Sequence, residues 1–338
     1  MYYNTLENTC QDNFTNLCST QDMPVVLSRI SERIELKNKL LRYYKTAIDD
    51  DRILERILFC GTYLGIDNDG KIGAANFCKN RLCPVCNYRK SSNAWGKIYR
   101  VVCSHNEKYK YLLITLTVRN CSPENLTPTI DDMMESFKRI TNRKTWKNSI
   151  KGFVRGLEVT FNSKENTFHP HIHILCAVPH DYFENPKLYI PAQTITEWWQ
   201  NSARLDYRPD TDVKAVNDNK KGVAEVAKYS LKMSDILSST QIDKNRITAV
   251  KTLYKAVFKR RLSSTAGVFR GVKLDDDSLF EEKKLEYAEN YGDYKGTLKY
   301  FLHTLNGFED ITFKDFEYVL KAKVTYEKIL SRRNNLYR

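Results

Sequence analysis

The segment 168–175 constrains the fold of this chain more than any other, because it alternates histidines with apolar residues. Three of the chain's six histidines lie within five consecutive residues of it. Successive side chains of a β-strand point to opposite faces, so His171 and His173 share one face while Ile172 and Ile174 share the other. The segment is therefore predicted to be a strand that packs through its isoleucines and presents imidazoles on its other face.

A second alternating segment, 153–161, lies just upstream. Its apolar residues share one face, and Glu158 points to the other. The residues between the two segments are polar and turn-prone, which predicts an antiparallel hairpin with Glu158 on the face of His171 and His173. Two imidazoles and a carboxylate are a donor set for a divalent ion. His169 is the alternative third ligand.

Four of the nine cysteines predict a second metal site of a different kind. Cys83 and Cys86 have the C-x-x-C spacing that lets two thiolates reach one ion, Cys78 lies five residues ahead, and Cys60 can complete the set. An odd number of irregularly spaced cysteines does not favour a disulfide framework. The prediction is a structural Zn²⁺, because four thiolates leave no open position for a substrate. A redox dithiol is the competing interpretation.

Charge and hydropathy indicate the compartment and the class of partner. Lys and Arg exceed Asp and Glu by 54 − 41 = 13, which favours a polyanionic partner, although a solvated basic surface is the alternative. No apolar run approaches the roughly 18–20 residues that span a bilayer, and the N-terminus lacks the layout of a signal peptide. The sequence predicts a cytoplasmic protein without a membrane partner.

A predicted helix over 222–237 carries three polar residues on one stripe. Glu225, Tyr229 and Lys232 lie at positions i, i+4 and i+7, while the apolar residues occupy the opposite side. Surface contacts between Glu and Tyr are the ordinary explanation of such a stripe. A catalytic tyrosine flanked by a carboxylate and an ammonium is the functional one.

The order of these motifs resembles the Rep proteins of bacterial rolling-circle plasmids, in the single-tyrosine branch of the HUH endonuclease superfamily with a Cys-rich segment before the core. The resemblance rests on Leu-Ile-Thr-Leu-Thr-Val at 113–118, on the histidine motif at 168–173 and on the helix motif at 225–232. The tyrosine follows the histidines, as in replication initiators, whereas it precedes them in conjugative relaxases. The resemblance covers about residues 60–232.

The resemblance implies an α+β fold, in which an HUH nuclease core has a central antiparallel sheet flanked by helices. A small zinc-binding segment and a helical C-terminal region are expected beside this core. The predicted division is an N-terminal tail and helices (1–58), a Cys-rich zinc-binding segment (59–100), the nuclease core (105–240) and a basic, helical C-terminal region (241–338).

The resemblance also implies the chemistry. Tyr229 would attack one phosphodiester at the plasmid's double-strand origin and leave a 5′-phosphotyrosine and a free 3′-OH. Glu225 matches the residue that activates water to release the enzyme after a round, and Lys232 matches a lysine that contacts the scissile phosphate or favours the phenolate.

The predicted cofactors are a catalytic Mn²⁺ or Mg²⁺ at the histidine motif and Zn²⁺ at the cysteines. The carboxylate suits a hard ion, and the imidazoles lean toward Mn²⁺. The expected partners are origin DNA, single-stranded at the nick and duplex at the binding site, with host helicase and polymerase, and an oligomer is compatible with the sequence. The alternatives are an HUH-type transposase, a non-catalytic zinc-containing DNA-binding repressor, and a metal-dependent hydrolase that does not need Tyr229.

Overall fold

The structure, a computed structural model, describes residues 23–67, 72–227, 233–237, 243–274 and 298–312. These residues form an α+β protein with two antiparallel sheets flanked by helices, which confirms the predicted fold class. They fall in two compact units. The first draws on Met1–Leu41, Asp49–Cys86 and Asp277–Arg338, and the second on Arg42–Ile48 and Asn87–Asp276. The predicted four-part domain division stays a prediction.

The described residues contain eight α-helices. In chain order they are α1 (Met23–Ala47), α2 (Asp51–Leu58), α3 (Pro84–Ser104), α4 (Leu126–Thr141), α5 (Lys144–Ser149), α6 (Ala192–Ser202), α7 (Asn219–Ala227) and α8 (Lys244–Val257). Short 3₁₀ helices lie at Pro123–Asn125 and Met233–Leu237. None of the helices in the described part of the chain has the length and apolar character needed to cross a membrane.

The first unit contains a four-stranded sheet built from both ends of the sequence. Its strands are β1 (Tyr63–Asp67), β2 (Ile72–Ala75), β8 (Leu298–Thr304) and β9 (Gly307–Ile311). Their order is β2-β1-β8-β9, and all neighbours are antiparallel. Strand β1 therefore takes one partner from its own neighbourhood and the other from near the end of the chain.

The second unit contains the five-stranded sheet that carries the histidine motif. Its strands are β3 (Tyr109–Thr117), β4 (Gly152–Asn162), β5 (Thr167–Pro179), β6 (Thr211–Ala215) and β7 (Ser263–Gly267). Their order is β6-β3-β5-β4-β7, again antiparallel throughout, so the histidine strand is the central one.

One face of this sheet packs on an aromatic cluster. The Phe137 ring of α4 lies 5.3 Å from the ring of Phe153 and 6.2 Å from that of Trp146 in α5, and both contacts are edge-to-face, the geometry that aromatic quadrupoles favour. Phe153 pairs with Cys176, so this face is the one that also carries Ile172 and Ile174. All three β5 side chains are completely buried.

The opposite face carries the histidines and is covered by α3 and α7. Tyr111 of β3 donates its hydroxyl to the Val102 carbonyl of α3 at 3.2 Å. Gly156 of β4 lies directly under α7, where an added Cβ would stand 2.9 Å from the Val226 carbonyl oxygen. The sheet is thus a layer between two helical layers, and its histidine face is only partly covered.

The described residues of the C-terminal region, 243–274 and 298–312, contain one α-helix and three strands. The expected helix is present as α8, where the Asp243 carboxylate caps the first turn by accepting the Arg246 N–H at 2.8 Å. The described residues after it form three strands, β7, β8 and β9, that were not predicted. Short strands with distant partners carry little local signal, because tertiary pairing determines them. Residues 313–338, the last part of the predicted basic, helical region, lie outside the described residues.

Candidate metal and catalytic site

The β4–β5 hairpin brings the predicted histidine and carboxylate ligands together. Glu158 stands directly opposite His171 in the strand pairing, and Gly156 stands opposite His173. The Glu158 Oε2 atom lies 3.3 Å from His171 Nε2 and 3.1 Å from His173 Nε2. The Glu158 side chain is 4% exposed and each imidazole 12%, so the cluster is mostly buried but reachable from one side.

Hydrogen bonds on the other ring nitrogens hold both imidazoles in this orientation. His171 Nδ1 lies 3.2 Å from the backbone oxygen of His169, and His173 Nδ1 lies 3.1 Å from Thr115 Oγ1. A carbonyl oxygen only accepts, so His171 donates from Nδ1, and the Nε2 atom is the one directed at the Glu158 carboxylate.

The donor set fits a divalent ion. Neighbouring ligand atoms of an octahedral ion with bonds of about 2.1 Å are about 3 Å apart, close to the separations of 3.1 and 3.3 Å observed here. Metal-bound histidines commonly donate the second ring N–H to a protein acceptor, as His171 does. Glu158, His171 and His173 would hold the ion.

His169 lies beside this cluster rather than in it. Its ring centroid is 5.3 Å from that of His171, and the three ligand atoms that lie within 4.8 Å of one another come from Glu158, His171 and His173. Burial, followed by the neighbouring His171, lowers the pKa of His169. Of the two candidates for the third ligand, Glu158 is the one that the fold brings to the histidines.

Helix α7 ends over the metal-site face, and two residues of α3 fasten it there. The Trp95 indole N–H donates to the Lys220 carbonyl near the start of α7 at 3.3 Å, and the Ser91 hydroxyl donates to the Ala227 carbonyl at its end. Gly156, the partner of His173, lets the last turn approach the sheet, because any side chain there would collide with the Val226 carbonyl.

Of the three predicted helix residues, Glu225 is described and Tyr229 and Lys232 lie outside the described residues. Glu225 is half-buried in the last turn of α7. The pKa of Lys214 on β6 is raised mainly by its hydrogen bond to Asp212 and to a lesser degree by the charge of Glu225. Glu225 therefore lies within electrostatic range of the β6 edge of the sheet.

The four cysteines converge into a second, closed cluster in the first unit. All four Sγ atoms lie within 4.8 Å of one another, and Cys86 Sγ is 3.4 Å from Cys60 Sγ and 3.6 Å from Cys78 Sγ. These distances exclude disulfides, whose sulfur atoms are about 2.05 Å apart. They are near the value of about 3.8 Å between thiolates of a tetrahedral ion with Zn–S bonds of about 2.3 Å.

Backbone amides complete the surroundings of the sulfur atoms. Cys78 N–H donates to Cys60 Sγ, Lys79 N–H to Cys86 Sγ and Asn80 N–H to Cys78 Sγ, at 3.2 to 3.4 Å. Such donors favour thiolates, whereas burial raises the pKa of Cys60 and Cys78 well above the usual range of a thiol. A bound cation resolves this conflict, and the convergence of four sulfurs favours a metal site over a redox dithiol.

Sequence reasoning missed the residues that support these two sites. Thr115 belongs to the 113–118 motif, but its hydrogen bond to His173 depends on β3 being the neighbour of β5. Gly156, Ser91 and Trp95 carry no motif, and their roles follow from the packing of α3 and α7. A glycine within an alternating apolar strand was the one available signal, since it often marks a close backbone approach.

The chain is similar in sequence to known replication proteins. A family model described as "Replication protein" matches residues 69–306. A protein rep from a Bacillus species is 33% identical over 243 residues, which cover 64% of this chain and 78% of that protein. A protein rep from Streptococcus pneumoniae is 32% identical over 250 residues, covering 70% and 76%, and one from Staphylococcus aureus is 31% identical over 219 residues, covering 62% and 95%.

No solved structure matches the chain. The family model covers well over half of the sequence, including the cysteine motif from Cys78 onward, the histidine hairpin and the 225–232 helix motif. The chain therefore belongs to the Rep family of replication proteins, and the resemblance to plasmid initiators of the rolling-circle type is confirmed.

Proposed function

We propose that this protein initiates rolling-circle replication by nicking and rejoining one DNA strand at the plasmid's double-strand origin. The observation that carries the proposal is the buried Glu158–His171–His173 cluster, which lies on a sheet face over which α7 ends. Each imidazole keeps 12% of its surface exposed, so the cluster is not sealed from solvent. A phosphate of single-stranded DNA can approach the cluster from solvent.

The proposed metal is Mn²⁺ or Mg²⁺, held by Glu158, His171 and His173. When bound, it supplies Lewis-acid polarisation of a non-bridging oxygen of the scissile phosphate. The protein's part is to orient the donors. Thr115 and the His169 carbonyl fix the two imidazole rings, and Glu158 contributes the negative charge that suits a hard divalent ion.

Tyr229 is the proposed nucleophile. Its phenolic oxygen forms a bond to phosphorus while the bond to the 3′ oxygen breaks, which leaves a 5′-phosphotyrosine on the protein and a 3′-OH that primes synthesis. A phenol has a pKa near 10, so the phosphotyrosine stays reactive and the reverse attack rejoins the strand. The approach of α7 to Gly156 supports this role, since Tyr229 follows the last described residue of α7 by two positions.

Glu225 is the proposed base for the hydrolysis that releases the protein from DNA at the end of a round. Lys232 is proposed to contact the scissile phosphate or the Tyr229 phenolate. Water is a weaker nucleophile than phenolate and must lose a proton, so hydrolysis of the phosphotyrosine needs a base that the first attack does not. A carboxylate one helical turn before the tyrosine is within reach of such a water.

The cysteine cluster has a proposed structural role with Zn²⁺, because four thiolates leave no coordination position open. The basic surplus supports binding to origin DNA, with duplex contacts at the binding site and single-stranded contacts at the nick. The protein is proposed to act in the cytoplasm with the host helicase and polymerase.

The test is adduct formation on a labelled single-stranded oligonucleotide that carries the plasmid origin, in the presence of Mn²⁺. The wild type is expected to form a protein–DNA adduct that survives denaturation. Tyr229→Phe is expected to abolish it, whereas Tyr189→Phe, which changes an exposed tyrosine elsewhere, should leave it unchanged. Glu225→Gln should form the adduct and fail to hydrolyse it.

Two results would contradict the proposal. An undiminished adduct in Tyr229→Phe would remove this residue as the nucleophile. Sequence-specific duplex binding by a wild-type protein that forms no adduct under any divalent ion would favour a non-catalytic DNA-binding protein.

A further inference from the structure

An exposed arginine is stacked on a tyrosine at the end of the β3 strand. The guanidinium carbon of Arg119 lies 3.8 Å from the centre of the Tyr207 ring. The backbone N–H of Arg119 also donates to the Tyr207 hydroxyl at 2.8 Å. One contact comes from the side chain of Arg119 and the other from its backbone, and the residue itself is exposed.

The strand pairing places this pair at the rim of the metal-site face. Thr117 stands opposite His171, and Cys121 forms a bridge with Phe168, so Arg119 lies between two points of contact with the histidine strand. Two residues of extended chain span about 7 Å and paired strands are about 5 Å apart, which puts the Arg119 backbone on the order of 10 Å from that of His171.

The Tyr207 segment is anchored to the same face. The Thr117 side chain shares the face of His171, because directly opposed residues of an antiparallel pair point the same way. Its hydroxyl donates to the Asp210 carbonyl at 2.7 Å. Thr117 therefore positions both members of the pair. Arg119 follows it by two residues in the chain, and Tyr207 lies three residues before Asp210, which Thr117 contacts.

Arg119 differs from the structural arginines of this unit. Arg139 donates to the Ser202 carbonyl, and Arg260 is paired with the carboxylate of Asp131. Among the described residues, nothing accepts a hydrogen bond from the Arg119 side chain, and no carboxylate pairs with it. Its guanidinium carbon lies over Tyr207 and the residue is exposed, so its N–H groups remain available to a ligand.

A flat cation with a free face and free N–H groups matches one nucleotide of a single strand. Bases stack on guanidinium planes and aromatic rings without regard to sequence, and the outward N–H groups suit a phosphate. We propose that Arg119 and Tyr207 form a binding site for a nucleotide of single-stranded DNA next to the scissile phosphate. The base stacks on the open guanidinium face, and the adjacent phosphate accepts from its N–H groups. This inference rests on the proposed nicking function for its substrate.

The experiment is equilibrium binding of a fluorescent single-stranded origin oligonucleotide, measured by anisotropy across a salt series without added Mn²⁺ or Mg²⁺. Arg119→Ala is expected to weaken binding about tenfold, as loss of one stacked base does, and to lower the slope of log affinity against log salt by about 0.7. Arg119→Lys should restore the salt slope but not the affinity, because an ammonium does not stack. Binding to duplex origin DNA should stay within about twofold of the wild type.

Arg143→Ala is the matched control. Arg143 is likewise exposed and lies over an aromatic ring, that of Trp198 at 5.1 Å, but it connects the helices α4 and α5 that pack on the opposite face of the sheet. This variant should bind single strands as the wild type does, and thermal melting should show that all three variants are folded.

Three outcomes would overturn the proposal: Arg119→Ala binding within about twofold of the wild type, an equal loss in Arg143→Ala, or full rescue by Arg119→Lys. The binding assay does not depend on strand cleavage. A wild type that binds single strands through Arg119 and yet forms no covalent adduct would contradict the nicking function and leave this site standing.

Discussion

The cysteine cluster and the histidine cluster differ in how their donor atoms are enclosed. The cysteine sulfurs are enclosed on all sides, with cysteines at most 6% exposed and amide N–H groups directed at the sulfur atoms. The Glu158–His171–His173 cluster has three donors, 12% exposure at each imidazole and one open side. A metal ion held by four protein donors can only stabilise the fold, because no coordination position is left for a substrate. A metal ion held by three protein donors keeps positions open for a substrate. The proposed structural zinc site and the proposed catalytic metal site would thus separate folding from chemistry within one chain.

The largest expected effect comes from breaking the closed cluster. Cys83→Ser combined with Cys86→Ser should abolish zinc binding and the folding of the first unit, since a structural zinc contributes on the order of 10 kcal/mol, comparable to the whole stability of a domain. Bound zinc and thermal unfolding measure this. Cys103→Ser, a half-exposed cysteine outside the cluster, is the control. A cooperative transition retained without zinc would show that the four sulfurs are only packed together.

Removing a ligand from the Glu158–His171–His173 cluster should lower the nicking rate and leave the stability of the fold nearly unchanged. His171→Ala is expected to reduce the initial nicking rate by at least about a thousandfold, as loss of a positioned electrostatic group does, with the melting temperature close to that of the wild type. His169→Ala, which changes the neighbouring imidazole, should cost less than about tenfold. An equal loss of nicking rate in His171→Ala and His169→Ala would indicate that His169 is also a ligand of the metal.

Thr115 tests whether the open cluster depends on its supporting hydrogen bonds. Thr115→Val keeps the shape and removes the hydroxyl that lies 3.1 Å from His173 Nδ1. Such outer contacts are worth about 10- to 100-fold in metal affinity, so nicking should need more Mn²⁺ and recover at saturation. Thr160→Val, on the same hairpin, is the control. A lower maximal rate with unchanged Mn²⁺ dependence would contradict an orienting role.

The smallest expected effect concerns the helix over the open cluster. Ser91→Ala removes the hydroxyl that holds the Ala227 carbonyl at the end of α7, a hydrogen bond worth about 0.5–1.5 kcal/mol. Nicking should fall about two- to tenfold while the zinc content is unchanged. Ser104→Ala, near the exposed end of α3, should change neither quantity. A loss of zinc in Ser91→Ala would mean that the two sites are not independent.

Local pattern was enough to predict the hairpin and its register. A period of two over 153–161 and over 168–175, with a polar turn between them, leaves few ways to bury the apolar face, and Glu158 then stands on the face of His171 as observed. The C-x-x-C spacing likewise identified three of the cysteine ligands and a reachable fourth.

What sequence could not provide was the identity of distant neighbours. The contact of Thr115 with His173 needs β3 beside β5, and the close approach at Gly156 needs α7 on that face. Neither follows from periodicity, because the side-chain period tells which face is buried but not what covers it. The strands β7, β8 and β9 were missed for the same reason. The roles of Tyr229, Glu225 and Lys232 stay predictions.

The pairing of β1 with β8 has a consequence for the way this protein is made. Tyr63 pairs with Leu302 and Asp67 with Leu298, so the second partner of β1 leaves the ribosome only when most of the chain has been translated. Chains are synthesised at about 5–20 residues per second, and during those seconds one edge of β1 is an unpaired strand that can associate with other chains. Termination of translation before residue 298 would leave this edge open permanently, even with every cysteine ligand and both histidine ligands already present.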